Sequence, residues 1–148
     1  MFGWARFGRP VVKSVELRIA SSRPATFIRF YNRTDDTMDV AVSTPSLEAT
    51  KRISLYTYGA SDGFGAFFAT LAAQKTPWSE PILWEPLERD MSLEARCDPV
   101  GHVEFRLTLR EGRNADDMWE LTARLEVELG MLPSVAAAAE TFSKAGRE

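Results

Sequence analysis

Four places in this sequence hold residue types that could do chemistry, and each is weighed against a plain structural role. His102, the single histidine, follows Gly101 at the mouth of the turn Asp98-Pro99-Val100-Gly101. Asp98 can reach it across a hairpin, and a carboxylate beside an imidazole fixes the tautomer of a general base. No serine stands in a Gly-x-Ser-x-Gly elbow to act as its nucleophile, so a solvent-facing hairpin histidine is the stronger reading. Cys97 falls on the apolar side of its segment with Leu93 and Ala95, where a thiol behaves as a small hydrophobe. One histidine and one cysteine cannot supply the usual zinc ligands. Asp35, Asp36 and Asp39 lack the glycine and glutamate of a calcium loop and read as a turn. Gly59, Gly63 and Gly65 surround a helix start that could cradle phosphate. No Lys-Ser/Thr pair follows them, and the spacing fits neither a P-loop nor a dinucleotide fingerprint. No catalytic residue, metal site or cofactor is assigned.

Aromatic residues give the remaining lead. Trp78 and Trp84 flank a proline-stiffened loop beside Glu80 and Glu85. Tryptophan offers a large contact area with little entropy to lose and is enriched at interface hot spots. Trp78, Glu80, Trp84 and Glu85 are therefore the candidate partner-binding residues. The competing reading folds both rings back onto the core. Trp119 sits at an inward strand position and reads as core. Phe2, Trp4 and Phe7, with Arg6 and Arg9, read as a docking arm over residues 1–10 or as a first strand.

The elements that must position these residues follow from periodicity. Met91, Leu93, Ala95 and Cys97 alternate with polar residues; so do Val103, Phe105, Leu107 and Leu109, and then Trp119, Leu121, Ala123, Leu125, Val127 and Leu129. A period of two over three successive runs predicts an antiparallel meander with one dry face. Earlier runs predict four less regular strands: Val15, Leu17 and Ile19; residues 26–33; Met38, Val40 and Val42; and residues 47–58. Ser61 is placed to cap a helix whose Phe64, Phe67, Phe68 and Leu71 follow helical spacing and which stops before Pro77. Leu132, Val135, Ala139 and Phe142 predict a closing helix lying on the sheet, with Pro133 tolerated in its first turn. No internal repeat stands out. The segment 77–86 is the hardest to assign. The expectation is an α+β fold: one antiparallel sheet of about seven strands, strongly curved or closed into a half-barrel, with a helix between strands four and five and a C-terminal helix on the sheet.

Composition bounds the rest. A chain of 148 residues, 45% hydrophobic and 26% charged, can bury a real core as a single domain, 1–148, with residues 144–148 a frayed tail. No apolar run is long enough to span a bilayer, and the N-terminus lacks a secretory segment. One cysteine excludes an internal disulfide and suits a reducing compartment, so a cytoplasmic location is expected. Residues 1–79 hold 10 Lys+Arg against 6 Asp+Glu, and residues 80–148 hold 8 against 15. A pI near 5.3 argues against a nucleic-acid partner.

The segments VELRI, YGASDGFGAFFATLAAQKTPW, WEPLERDMSLEARCDPVGHVEFRLTLR and WELTARLEVELGML together resemble a family of small uncharacterised bacterial proteins. That family is similar to the WapI-type immunity proteins of contact-dependent toxin systems. The resemblance implies a non-catalytic domain that binds and neutralises another protein. The partner expected is thus a protein, a toxin or a second copy of the chain, with no membrane partner. The alternative is a small-molecule-binding or enzymatic helix-grip domain, its pocket between the C-terminal helix and the sheet.

Overall fold

The computed structural model describes residues 15–21, 26–55, 62–111 and 118–145. Strands β1 (Leu17–Ala20), β2 (Phe27–Tyr31), β3 (Thr37–Ser43) and β4 (Glu48–Ser54) form an antiparallel sheet in chain order. Helix α1 (Phe64–Ala72) follows. A second antiparallel sheet holds β5 (Ile82–Trp84), β6 (Met91–Cys97), β7 (His102–Arg110) and β8 (Glu120–Glu128), again in chain order. One turn of 3₁₀ helix, Leu129–Met131, leads into α2 (Leu132–Ala145).

The α+β class and the late meander agree with the periodicity. The single seven-stranded sheet does not: eight strands divide equally between two sheets. The missed strand is β5. Pro81 and Pro86 confine it to three residues, too few for an alternation to show. Strands β1, β2 and β4 are also shorter than the runs that predicted them, while β3 is longer by one residue at each end.

Sequence order conceals a repetition that the elements make plain. Four strands and a helix occur twice. Superposed by register, β4 reads Glu48-x-Thr50-x-Arg52-Ile53 and β8 reads Glu120-x-Thr122-x-Arg124-Leu125. The helices exchange halves: α1 packs on β5 of the second sheet, α2 packs on β1 of the first, and the two helices pack on each other. The C-terminal helix thus rests on its partner helix as much as on a sheet.

The inward residues of both sheets and both helices form one contiguous core, including Ile28, Phe30, Val40, Phe64, Phe68, Leu93, Phe105 and Phe142. At its centre the ring of Phe64 meets Phe30, Phe68 and Trp84 edge-on, each at 5.1 Å between centroids, and Phe142 at 6.0 Å. Trp119 is not among the core residues. It lies just before β8 and is 43% exposed, because β8 is the last strand of its sheet and nothing described covers that corner. The proposed cap Ser61 and the proposed arm, residues 1–10, lie outside the described residues. The N-cap position is Gly63, and just before it Asp62 Oδ1 accepts the Phe64 N–H at 2.9 Å. Gly63 beside it takes φ +80°, a conformation that suits glycine. The closing helix includes Lys144 and Ala145, which were expected in a frayed tail; the rest of that expected tail, residues 146–148, lies outside the described residues.

Candidate functional site

The four residues singled out as partner-binding part into two pairs. Trp84 is 7% exposed; its indole N–H donates to the Asp62 carbonyl at 2.9 Å, and its ring joins the Phe64 cluster. Trp78 is half-buried against the core, with its N–H directed at the Ala95 carbonyl at 3.4 Å. The two rings therefore fix the segment 76–90 from below. Glu80 and Glu85 stay exposed, Glu85 lying 3.9 Å from Arg110.

Between the anchors, two apolar residues that the sequence reading passed over face solvent. Leu83 is 56% exposed and Leu87 is 47% exposed, with Glu88 beside the latter also exposed. Alternation along β5 puts Ile82 and Trp84 inward and Leu83 outward, so the signal was present but only three residues long. Arg110 fastens the far end: its guanidinium donates to Glu120 at 3.1 Å and to the Arg89 carbonyl at 3.1 Å. The result is a stiff, outward-facing strip in which two leucines stand among three carboxylates.

The Asp98–His102 pair is real, and its geometry is that of a turn. Asp98 Oδ1 accepts the N–H groups of Val100, Gly101 and His102, each at 2.9 Å, while Oδ2 lies 2.9 Å from His102 Nδ1. The His102 N–H and ring, with the other turn amides, hold the Asp98 carboxyl down at about 2. The hydrogen bond and charge of Asp98, with Glu126 and Glu128 nearby, raise His102 above its ordinary 6.5. The other ring nitrogen lies 3.7 Å from Glu128. Carboxylates on both sides favour an imidazolium, a poor general base. Cys97 packs partly against the core, and burial pushes its thiol up, away from the thiolate.

The signs give a pH window for this hairpin. Asp98, depressed in the fold, contributes above its ordinary 3.8, and that contribution fades as pH falls towards 2. His102, raised in the fold, contributes below 6.5 and loses its contribution as pH rises through the raised value. The hairpin is tightest between those limits. NMR titration of His102 is expected to give a midpoint above 6.5, returning towards it in Asp98→Asn. A wild-type midpoint at or below that value would mean that the pair does not form.

Two further polar groups occupy the interior edges. Arg33 and Asp62 make a buried ion pair, their side chains 2% and 9% exposed. Lys51 reaches Glu111 at 3.3 Å, close to Asp90, whose carboxyl burial raises. Among the described residues no group of three or more His, Cys, Asp or Glu is arranged to hold a metal ion, and no helix is long and apolar enough to cross a membrane.

Two hollows adjoin the helices. An open groove of about 710 Å³ runs between α1 and α2, floored by Gly65, Ala66, Ala69, Ala136 and Ala137. A smaller, mostly apolar one of about 430 Å³ lies where α2 meets β1 and β8, lined by Ile19, Val127, Met131 and Val135. The alanine-rich face of α2 thus opens towards α1, and the hollow against strands sits nearer the start of the helix.

Comparison with known families decides the relationship. A family of unknown function matches residues 19–146, nearly the whole of this arrangement. The chain belongs to DUF6228. No curated protein matches it. Among solved structures, the DUF6228 fold is similar to that of the plant transcriptional regulator PBF-2, with a TM-score of 0.52 and 10% identity over 92% of this chain and 83% of the other. At that identity the likeness shows a shared fold.

Proposed function

We propose that this chain is a non-catalytic protein-binding domain, immunity-like in that it neutralises a toxin by occupying it. The observation that carries the reading is the strip at 76–90: Leu83 and Leu87 exposed among Glu80, Glu85 and Glu88, on a backbone anchored by Trp78 and Trp84. A pre-stiffened apolar pair loses little entropy on binding. Surrounding carboxylates speed encounter with a basic partner and repel an acidic one. The resemblance to WapI-type immunity proteins supports the same reading.

Co-expression with the products of neighbouring genes tests it. A stoichiometric complex that protects cells from one of those products is expected. Leu83→Ala and Leu87→Ala each weaken it by about tenfold or more, the effect of a truncated hot spot costing roughly 1–2 kcal/mol. Glu80→Lys with Glu85→Lys slows association and flattens its salt dependence. Absence of both complex and protection sinks the reading.

A small-molecule or enzymatic role is the second reading, favoured by the apolar hollow between α2, β1 and β8. Its volume of about 430 Å³ is within the range of ligand sites. Native mass spectrometry of the purified protein is then expected to show a bound small molecule, lost in Val135→Trp.

A further inference from the structure

We propose that this chain forms a symmetric dimer by antiparallel pairing of β8 with β8 of a second copy. The argument begins with the four strands that end the two sheets. An edge strand offers unpaired N–H and C=O groups to any other strand unless something blunts it. Three of the four are blunted. β1 is four residues long, and β5 is three, closed in by Pro81 and Pro86. β4 is longer, but it turns the cation of Lys51 to its inner side, opposite Val40, where the side chain is held to Glu111. A charge pointing inward on an edge strand is a known deterrent to pairing.

β8 lacks that guard. By the register of the two sheets, the position of Lys51 in β4 is that of Ala123 in β8. β8 is also nine residues long, and among the described residues β1 and its flanks approach it beside Arg124 to Glu128. Its first half, from Glu120 to Ala123, ends the sheet with an edge that no described strand covers. Its backbone is turned the right way. The Trp119 carbonyl accepts from Glu111 and the Leu129 N–H donates to Gly101, so odd-numbered residues of β8 bond to β7. Glu120, Thr122 and Arg124 therefore present their N–H and C=O groups outward.

The side chains specify the occupant. On the outer face, Glu120, Thr122 and Arg124 read the same in charge complement from either direction. An antiparallel copy centred on Thr122 sets Glu120 opposite Arg124 of the second copy, and Arg124 opposite its Glu120. Arg124 has no ion-pair partner among the described residues, and Glu120 has only the exposed pair with Arg110. On the inner face the half-buried Leu121 comes opposite the small Ala123 of the second copy. Each copy thereby continues the apolar stripe of the other. The two sheets become one of eight strands.

Sedimentation of the full chain tests the pairing. The wild type is expected to be a dimer, and Ala123→Lys, which installs the guard of β4, a folded monomer by circular dichroism. E120R and R124E each oppose like charges across the twofold and raise the dimer Kd at least tenfold. The double variant E120R/R124E recreates opposite charges and restores the wild-type Kd. R124E is the cleaner single variant, since Glu120 also touches Arg110. Thr122→Cys in a Cys97→Ser background is expected to oxidise to a linked dimer, because paired residues at that centre lie about 5.5 Å apart in Cα position. A monomeric wild type at millimolar concentration overturns the proposal. So does a dimer indifferent to the single charge reversals, or a double variant no better than either of them.

Discussion

Phe64→Ala is expected to lower the free energy of unfolding by about 3–5 kcal/mol, the usual cost of deleting a buried aromatic ring. The upper half of that range applies here, for a geometric reason. Phe64 opens α1 and touches Phe30 of β2, Phe68 of its own helix, Trp84 of β5 and Phe142 of α2. Every layer of the fold is thus represented in one ring contact. Side chains from four rigid elements cannot all collapse into the space left, so the cavity persists and its lining loses contacts. Edge-on ring pairs add about 0.5–1.5 kcal/mol each beyond buried area, and four are lost together. Against a total stability of about 5–15 kcal/mol for an ordinary domain, the variant is at the margin of folding. Urea unfolding followed by tryptophan fluorescence reads the shift, with Phe64→Leu losing less because it keeps most of the volume. An alanine variant within about 1 kcal/mol of wild type would mean that Phe64 is not the junction of the layers.

How far the sequence disclosed this arrangement depended on how local the information was. The meander β6 to β8 was readable because each inward residue has a polar neighbour on both sides, from Met91 to Val127. The turn at Asp98 was readable because Pro99 and Gly101 declare it, and Gly101 takes φ +102°. Alternation tells which face of a strand is dry, but not which sheet the strand joins. Hence the division into two sheets, and the crossing of each helix to the opposite half, stayed hidden. Segment 77–86 was opaque for another reason: prolines shortened β5 below the length at which period two can be recognised. Trp78 and Trp84 looked like a pair, whereas the partner that buries Trp84 is the Asp62 carbonyl, 22 residues earlier in the chain. Trp119 erred the other way. Its phase in the alternation was right, but an inward phase buries a residue only where a neighbouring element covers it.

The basic run FIRFYNR shows the same limit in its charges. Arg29 lies over the Tyr31 ring at 4.2 Å and 3.7 Å from Glu16, an arrangement confined to the outer face of the first sheet. Arg33, four residues on, goes inward instead. Nothing in the spacing separates the two, since the turn after β2 and not the strand period sets the direction of Arg33.

That inward turn makes Asp62→Ala the second substitution with a large expected cost. Asp62 serves three neighbours at once. Its Oδ2 pairs with Arg33 Nη2 across 29 residues, its Oδ1 accepts the first N–H of α1, and its carbonyl accepts the Trp84 indole N–H. The guanidinium is already short of partners, for Arg33 Nε and Nη1 are buried with no hydrogen bond among the described residues. Removing the carboxylate leaves a cation that water cannot reach, which costs about 3–5 kcal/mol, and loss of the hydrogen bond to the Phe64 N–H adds about 1 kcal/mol. The pair itself is a different matter from either half of it. Two charges taken out of water repay little when their geometry is incomplete, and an apolar replacement of both is often neutral. Arg33→Met with Asp62→Asn is therefore expected to recover most of what Asp62→Ala loses, because the amide oxygen still accepts the Phe64 N–H and no charge is stranded. Urea midpoints of the three proteins measure this directly. A double variant as unstable as Asp62→Ala would show instead that the ion pair is a net source of stability, holding the β2–β3 turn to the start of α1.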